Sequence, residues 1–415
     1  MNNKRLWARL LGVEGAIIED VEWEPDEGVF VHVRAGYNQT QRCPHCGRRS
    51  AWEDNGEGLR RWRALDLGLV RVWLIAEAPR VRCREHGVVV AAVPWARHNA
   101  RFVRDFEDQV AWLVTQMSRS AVSELMRISW RSVGRIIERA VADGRQRQDL
   151  LEDLARIGID EVSYKKGHRY LMVVVDHDRD RLVYAAEGRN AGTVSAFFDA
   201  LGPERCGTIE FVSADGARWI EDVVRERCPH ATLCTDPFHV VKWATDALDQ
   251  VRRDVWNRLR RSRDAADRDL AQSLKRSRYA LWKNPENLTA HQERKLAEIQ
   301  RVNNPLWRAY LLKEQLRELV GAKGRAALRM LPKWLAWAAR CRLKPFVELG
   351  RKVKRHLPGI EAALRYGLSN ARIESANTRI RLLHRIAFGF HSAQPAIALA
   401  FLKLGGLCPP LPGRK

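Results

Sequence analysis

The spacing of apolar residues changes from a strand period to a helix period near residue 100. Apolar and polar residues alternate loosely from 16 to 34 around Pro25-Asp26-Glu27-Gly28, which is typical of a β-hairpin. From about Val103 the apolar residues recur at helical spacing. The pattern therefore predicts a β-rich domain over residues 1–98 and a helical domain over residues 99–150.

Strand and helix patterns alternate between residues 151 and 239. The expected strands are 157–163, 170–176, 181–187, Thr208 to Ala214 and Thr232 to Thr235, and the expected helices run from about Ala191 to Leu201 and from Arg218 to Arg227. Three strands, a helix, a strand, a helix and a strand is the order of the ribonuclease-H-like fold. We therefore expect a multidomain α/β protein whose core has this fold.

The rest of the chain is predicted to be helical. Residues 240–365 are very basic and rich in tryptophan, and we interpret them as a helical insertion domain. Tryptophan among arginines can stack on bases, but in a helical domain it more often fills a core. Residues 366–405 contain a further helix that is expected to complete the core after the insertion.

The charge of the chain points to a polyanionic partner. The 415 residues include 72 lysines and arginines against 50 acidic residues, a formal net charge of +22. Nucleic acid is the natural partner for such an excess, and a merely basic soluble protein is the alternative. No apolar run approaches the roughly 18 residues of a membrane span, and the N-terminus does not resemble a signal peptide. We therefore expect no membrane association and a cytoplasmic protein.

Two short motifs near the N-terminus predict a metal site. Cys43-Pro44-His45-Cys46 and Cys83-Arg84-Glu85-His86 each place two potential ligands three positions apart. Three thiolates and one imidazole form a closed tetrahedral set that suits one structural Zn²⁺ ion. His45 could replace His86 on composition alone, but a turn of this kind normally directs its first and last residues at the metal. The motifs therefore indicate a zinc ribbon with Cys43, Cys46, Cys83 and His86 as ligands.

Two sets of arginines are candidates for contact with DNA phosphates. Ser129 is placed to cap a helix that runs to about Asp143, the last of three, and such a helix of a helix-turn-helix enters the major groove. A plain three-helix bundle with a solvated arginine face is the alternative. The candidates are Arg131, Arg135 and Arg139 on this helix, together with Arg60, Arg61 and Arg63 in a predicted strand.

Three acids from separate elements could hold catalytic metal ions. Asp160 lies in the first strand of the predicted core, Asp215 closes the fourth, and Glu374 lies in the later helix. Two Mg²⁺ ions bound by carboxylates can activate an oxygen nucleophile and stabilise a leaving oxygen in phosphodiester chemistry. Because the first and fourth strands of the ribonuclease-H-like order are neighbours, Asp215 is preferred to Asp236 as the second ligand, with Asp236 and His239 as nearby support.

The motifs occur together in the order found in one known family. The zinc-finger and helix-turn-helix segments are followed by Gly158-Ile159-Asp160-Glu161, Ser213-Ala214-Asp215, Asp236-Pro237-Phe238-His239-Val240 and Arg372-Ile373-Glu374-Ser375-Ala376-Asn377, which leads to Arg385-Ile386-Ala387-Phe388-Gly389-Phe390. Each motif is weak alone, but their joint order is specific. The chain resembles the DDE insertion-sequence transposases of the ISL-three group over almost its whole length.

The resemblance implies a transposase with Asp160, Asp215 and Glu374 as its triad. Its zinc and helix modules would hold the terminal inverted repeats of double-stranded DNA. Mg²⁺-dependent cleavage at the element ends and strand transfer into target DNA are then the expected reactions. Asn377 and Arg381, which share a helix face next to Glu374, are expected to support the triad. Synapsis of two ends makes a homodimer the expected assembly.

Two features depart from the family pattern, and two other functions remain open. The finger ends in His86 where a fourth cysteine is common, and Arg379 and Arg381 stand where at least one lysine is expected. A transposase-derived DNA-binding regulator without catalysis is the main alternative. Another ribonuclease-H-like nuclease or resolvase would share the metal chemistry but would not need end-specific N-terminal modules.

Overall fold

A computed structural model of the chain describes residues 4–214, 217–275, 277–322, 324–366 and 371–414. The chain divides into two compact units, one formed by Met1–Leu150 with Ile380–Lys415 and the other by Leu151–Arg379. None of the helices in these described ranges is both long and apolar enough to cross a membrane.

The first unit contains two small sheets and a set of helices. Its strands are β1 (Ala16–Glu24), β2 (Gly28–Ala35), β3 (Ala51–Asp54), β4 (Leu59–Arg63), β5 (Val72–Glu77), β6 (Arg80–Cys83) and β7 (Gly87–Val90). They form a four-stranded sheet in the order β1-β2-β5-β4 and a three-stranded sheet in the order β3-β6-β7. The predicted hairpin is confirmed as β1 and β2, which pair in antiparallel orientation. Glycine is required at position 28 after the turn, because its φ is 117° and because a Cβ there would overlap the carbonyl oxygen of Arg71.

The helices of the first unit begin with α1 (Lys4–Leu11), and three more follow the sheets. These are α2 (Arg104–Leu113), α3 (Arg119–Leu125) and α4 (Trp130–Arg147). Ser118 caps α3 by accepting from Ala121 N, and Ser129 caps α4 by accepting from Ser132 N, as the sequence predicts for Ser129. The turn between α3 and α4 contains no glycine and instead holds Arg127 at a φ of 54°.

The second unit is built on a five-stranded sheet with the order β10-β9-β8-β11-β12. The elements are β8 (Arg156–Lys165), β9 (Arg169–Asp176), β10 (Arg181–Glu187), α5 (Ala191–Leu201), α6 (Pro203–Cys206), β11 (Phe211–Ala214), α7 (Arg218–Arg227) and β12 (Thr232–Thr235). The first three strands are antiparallel, whereas β11 runs parallel to both β8 and β12. The predicted element order is confirmed, and the first and fourth strands are neighbours.

The largest difference from the predicted strand boundaries is at the start of the fourth strand. The fourth strand begins at Phe211 and not at Thr208. Thr208 lies in a turn, where its hydroxyl donates hydrogen bonds to the carbonyl oxygens of Leu154 and Arg205. A β-branched residue that bonds locally in this way has the sequence pattern of a strand although it precedes one.

Helices of the insertion complete the second unit. They are α8 (Pro237–Arg260), α9 (Ala265–Ser273), α10 (Arg278–Trp282), α11 (Ala290–Val302), α12 (Asn304–Ala322), α13 (Gly324–Arg340), α14 (Lys344–Arg355) and α15 (Leu357–Tyr366). Trp334 is fully buried in their common core, and its indole donates to the carbonyl oxygen of Leu312. Trp243, Trp256 and Trp307 pack against the same core. The interpretation of these tryptophans as core residues is therefore confirmed.

The last two helices are α16 (Ala371–Ile386) and α17 (Ala393–Leu404). Helix α16 begins in the second unit and ends in the first, because the division falls between Arg379 and Ile380. In the first unit α17 packs on α4, where Gly144 leaves room for the Leu407 side chain that follows α17.

Candidate functional site

Asp160 lies in β8, beside the point where its pairing with β11 stops. The apolar residues around it, Ile157, Ile159 and Val162, are buried in the sheet. The strand does not end at this acid but continues to Lys165, and it pairs with β9 along this length. The pairing with β11 extends only from Arg156 to Gly158. Asp160 therefore lies two positions beyond the last paired residue on the β11 side.

Helix α16 packs closely on β8 at Gly158. A Cβ added at Gly158 would overlap the side chain of Ile373 and would lie 2.7 Å from His177 Nε2. Ile373 is fully buried. The glycine therefore allows the first turns of α16 to approach the strand that carries Asp160.

Asn377 joins this helix to Asp160. Its Nδ2 donates to Asp160 Oδ2 over 2.9 Å, while Asp160 Oδ1 accepts from the backbone N–H of Glu161 at 2.7 Å. Asn377 is 2% exposed, and its Oδ1 is buried without a hydrogen-bond partner among the described residues. The amide therefore fixes one carboxylate oxygen of Asp160 and leaves an unused acceptor at the same place.

Glu374 lies one helical turn before Asn377. Residues three apart on a helix are neighbours, with Cβ atoms about 5–6 Å apart. Glu374 is exposed in the first turn of α16 and forms no ion pair with any residue that the structure describes. The structure thus places an accessible carboxylate next to the amide that holds Asp160.

His177 and Ser213 form a buried polar pair that the sequence did not reveal. His177 Nε2 lies 2.8 Å from Ser213 Oγ, and both residues are buried. Burial, and then the positive charge of Arg372, lowers the pKa of His177. The imidazole is therefore neutral at pH 7 and links the end of β9 to β11. The one feature of the sequence that marks His177 is its position directly after Asp176, at the end of a predicted strand.

Asp236 is engaged as a helix cap. It is 2% exposed, and its Oδ1 accepts from the backbone N–H of Phe238 at the start of α8. Its Oδ2 lies 2.9 Å from His239 Nδ1. Asp236 and His239 thus contact each other, and their predicted support of the catalytic acids stays a prediction. Asp236 follows β12, and β11 lies between β12 and β8 in the sheet.

Asp215 lies outside the described residues, so its place is not described. In the described part of the chain, the carboxylates of Asp160, Asp236 and Glu374 do not form a group of three within 4.8 Å of one another. Arg381, the other predicted supporting residue, is exposed on α16.

The predicted zinc ligands do come together. Cys43, Cys46, Cys83 and His86 form a group whose ligand atoms all lie within 4.8 Å of one another, the only such group in the described ranges. Cys46 Sγ lies 3.7 Å from Cys83 Sγ, and His86 Nδ1 lies 3.7 Å from Cys43 Sγ and 3.6 Å from Cys83 Sγ. A tetrahedron with zinc bond lengths has edges of about 3.5–3.8 Å. The ligand set therefore fits Zn²⁺.

Electrostatics in this group also favour metal binding. The side chain of His86, and then the backbone N–H groups of Glu85 and His86, lower the pKa of Cys83 to about 6. A thiol with such a pKa is readily deprotonated, which is the state that binds zinc. His45 lies outside the group, with its ring centroid 5.0 Å from that of His86. His86 and not His45 completes the set.

The structure corrects the prediction for two of the six candidate arginines. Arg63 is buried, is ion-paired with Asp66 and has its guanidinium 5.4 Å from the centroid of the Trp73 ring. Arg139 is ion-paired with Glu107, which is itself fully buried. Arg63 is thus held inside the protein, and Arg139 is partly buried against an interior acid, whereas both were expected to face solvent.

The other four arginines are accessible to different degrees. Arg60 and Arg61 form surface ion pairs with Glu57 and Glu27, at 3.2 and 3.3 Å. Arg131 and Arg135 are exposed on α4, and neither has an ion-pair partner among the described residues. These last two are therefore the strongest candidates for contact with phosphate.

Three family models match this chain. A model described as a transposase matches residues 157–398, and the helix-turn-helix domain of transposase family ISL3 matches residues 91–141. The zinc finger of the transposases of IS204, IS1001, IS1096 and IS1165 matches residues 39–86. The matches include the metal group, the first two thirds of α4 and the segment from β8 into α17.

Curated relatives match over nearly the full length. The transposase for insertion sequence element IS1557 of two Mycobacterium tuberculosis strains is 53% identical, covering 100% of this chain and 98% of the relative. The transposase for IS1001 of Bordetella parapertussis is 27% identical over 95% of this chain and 96% of its own length. With its zinc ribbon, its DNA-binding helix-turn-helix and its transposase domain, the chain belongs to the ISL3 family of insertion-sequence transposases.

Proposed function

We propose that this chain catalyses Mg²⁺-dependent cleavage at the terminal inverted repeats of an insertion sequence and transfer of the freed strand to target DNA. Asp160, Asp215 and Glu374 are the proposed metal ligands. The observation that carries the proposal is the hydrogen bond from Asn377 to Asp160. This bond ties the helix of Glu374 to the strand of Asp160, although the two acids are far apart in sequence.

The strand order supports a ribonuclease-H-like core. Three antiparallel strands are followed by two parallel ones, and the first strand lies at the centre between the second and the fourth. The helices α8 to α15 are inserted between the fifth strand and α16. The first strand, which carries Asp160, therefore lies beside the fourth strand, after which the proposed second acid follows in sequence.

The parallel register supports Asp215 as the second acid. Ser213 pairs with Gly158 in β8, and these residues precede Asp215 and Asp160 by two positions each. Asp236 follows β12, which is two strand spacings, or about 9–10 Å, from β8. Its two oxygens already serve Phe238 N and His239. We therefore assign Asp236 and His239 to the support of the start of α8.

The donor chemistry of the site fits magnesium. Asp160 and Glu374 offer carboxylate oxygens, the ligands that Mg²⁺ prefers, and Asn377 adds a buried amide oxygen without a hydrogen-bond partner among the described residues. When bound, a pair of Mg²⁺ ions supplies activation of the attacking oxygen and charge stabilisation at phosphorus. The chain's own part is to orient Asp160 through Asn377 and to hold the DNA.

The N-terminal modules are proposed to hold the element ends. Arg131 and Arg135 on α4 are the proposed phosphate contacts, joined by Arg60 and Arg61 once DNA displaces their surface ion pairs. Because two ends must be held together for transposition, a homodimer is the proposed working assembly. Double-stranded DNA, as element end and as target, is then the partner of the protein.

A cleavage assay separates this proposal from a DNA-binding regulator without catalysis. The substrate is a labelled duplex that carries the DNA flanking this reading frame, incubated with the full-length protein and Mg²⁺. Asp160→Asn should bind this duplex with unchanged affinity and lose strand cleavage by at least about 10²-fold, the scale of one electrostatic group in an active site. Asp222→Asn, at an exposed acid in α7, is the matched control and should cleave normally.

Two outcomes would contradict the proposal. Cleavage by Asp160→Asn at the rate of the wild type would remove Asp160 from the metal site. Tight, specific binding by the wild type with no cleavage in Mg²⁺ or Mn²⁺ would favour the regulator.

A further inference from the structure

Phe388 occupies an unusual position at the C-terminus of α16. The backbone N–H of Gly389 donates to the carbonyl oxygen of His384 at 2.9 Å. The backbone N–H of Phe388 donates to the carbonyl oxygen of Arg385 at 3.1 Å. These two bonds form a Schellman motif, in which the residue after the helix adopts a left-handed conformation. Phe388 is that residue, with a φ of 56°. Glycine normally stands there because it has no Cβ.

The folded protein gains no burial in return for this conformation. Phe388 is 90% exposed. A left-handed φ is unfavourable for a bulky side chain, and an exposed aromatic ring adds no apolar burial. Strained residues that are held in place by their surroundings occur preferentially where a protein binds or acts. The position of Phe388 therefore indicates a role in contact with another molecule.

The neighbourhood of Phe388 matches nucleic acid. A cleft of about 510 Å³ in the first unit is lined by residues 387–392 together with Arg119, Trp130, Arg131 and Arg135. Arg119 lies 4.1 Å over the ring of Trp130, which is 51% exposed. Among the described residues that line this cleft, Glu138 is the single acid, against three arginines. Exposed aromatic rings beside unpaired cations suit stacking on bases and contact with phosphates.

We propose that Phe388 inserts its ring against an unstacked base of the bound DNA, next to the groove entered by α4. The proposal rests on the proposed binding of element ends, because α4 supplies the arginines that hold the backbone at this cleft. Phe388, Arg131 and Arg135 all line this cleft, so one DNA segment that enters it would contact the ring and both guanidinium groups. A wedge of this kind holds the duplex in a locally opened form.

Phe388→Gly separates a DNA-contacting role from a structural one. Glycine removes the ring and relieves the left-handed strain, so the variant should unfold at the same temperature as the wild type or a few degrees higher. Its affinity for DNA should fall by roughly 5- to 150-fold, the range for the loss of one base–aromatic stack. Phe388→Trp should retain most of the affinity. Leu382→Ala, at an exposed apolar position in the same helix, is the matched control and should leave it unchanged.

Base unstacking is measured by chemical footprinting on full-length protein bound to the duplex that flanks this reading frame. Permanganate reports unstacked thymines, and diethyl pyrocarbonate reports unstacked purines. The wild type should produce at least one hyperreactive base, and Phe388→Gly should abolish it at equal occupancy of the DNA. Phe388→Trp should preserve it.

Several outcomes overturn the inference. They are a bound wild type without any hyperreactive base, a Phe388→Gly variant that keeps the signal, and a Phe388→Gly variant that unfolds at a clearly lower temperature. A loss of self-association in that variant, seen by sedimentation without DNA, would assign Phe388 to contact between two copies of the chain. If the wild type binds none of the flanking DNA, that result contradicts the proposed function itself. It is distinguishable from the outcomes above, in which the DNA is bound but Phe388 does not contact an unstacked base.

Discussion

The amide Nδ2 of Asn377 lies 2.9 Å from Asp160 Oδ2, although 217 positions separate the two residues in the chain. The helical insertion from α8 to α15 lies between them in sequence. Closing so long a loop has an entropic cost that only specific contacts can offset. This hydrogen bond therefore holds α16, which follows the insertion, against β8, the first strand of the sheet.

Replacing Asn377 with alanine should weaken the proposed metal site without altering DNA binding. The change frees Asp160 Oδ2 from its donor, so the carboxylate samples more orientations. We expect the cleavage rate to fall about 10- to 100-fold, the usual effect of removing a residue that orients a metal ligand. The Mg²⁺ concentration for half-maximal cleavage should rise as well, and a titration of the ion measures both effects.

Asn287→Ala provides the matched control for this variant, since it removes an exposed amide from a turn in the same unit. It should leave both quantities unchanged. An Asn377→Ala protein with a normal Mg²⁺ requirement would show that Asn377 does not position Asp160.

Gly158→Ala should separate α16 from β8. The added methyl group would overlap Ile373 and approach His177 Nε2 to 2.7 Å, in a fully buried site. Overpacking of this kind costs about 1–3 kcal/mol, which denaturant unfolding can measure. The cleavage rate should fall by more than the loss of stability accounts for, because displacement of α16 also moves Glu374 and Asn377 away from Asp160.

Gly321→Ala is the contrasting substitution, since a Cβ there would meet nothing within 4 Å and Gly321 is exposed near the C-terminus of α12. It should be neutral or should stabilise the protein by up to about 1 kcal/mol. The double variant Gly158→Ala/Ile373→Val should recover part of the activity. Wild-type stability and activity in Gly158→Ala would disprove the tight packing.

The sequence predicts the elements of this protein better than it predicts their contacts. The buried run of β9 and the cap at Ser129 are local features, and the structure has them where the pattern indicates. The burial of Arg63 depends on Asp66, Trp73 and the helix residue Phe106, and no periodicity reports such packing. Alternation along β4 places Arg61 and Arg63 on one face, yet only Arg61 is exposed.

In the candidate site, too, local motifs were predictable from the sequence and long-range contacts were not. The motif around Glu374 marked Asn377 as a supporting residue, but its hydrogen bond to Asp160 depends on the return of the chain after the insertion. The left-handed conformation of Phe388 was equally hidden, because Gly389 is the residue expected to have a positive φ; it has one, of 94°, and Phe388 has one in addition. Long-range closure and backbone strain leave little trace in a single sequence.

Arg131 and Arg135 should differ from Arg139 in the effect of their replacement. Each of the first two is exposed, so replacement by alanine should weaken DNA binding for all sequences. The slope of log affinity against log salt concentration should decrease by about one for each phosphate that the variant no longer neutralises. Stability should remain within about 0.5 kcal/mol of the wild type.

Arg139→Ala should instead destabilise the fold by about 1–3 kcal/mol, because Glu107 is fully buried and would keep only its 3.3 Å pair with Arg97. Its salt dependence of binding should match that of the wild type. A reduced salt slope in Arg139→Ala with normal stability would return this residue to the DNA surface.

His86→Ala should remove zinc from the first unit, whereas His45→Ala should not. His86 Nδ1 lies 3.6–3.7 Å from two of the thiols, and His45 is outside the ligand group. Because Cys83 belongs to β6 and His86 lies in the turn to β7, loss of the ion should loosen the three-stranded sheet β3-β6-β7. Metal analysis of the purified proteins should give one zinc per chain for the wild type and His45→Ala, and none for His86→Ala.

His86→Cys tests the same set from the opposite direction. Four thiolates also form a closed zinc site, so this variant should retain one ion per chain and a normal melting temperature. A chelator added to the wild type should lower the melting temperature and weaken DNA binding together, and added Zn²⁺ should restore both. Retention of zinc by His86→Ala together with its loss in His45→Ala would make His45 the fourth ligand, and the distances around His86 would then describe a second-sphere histidine.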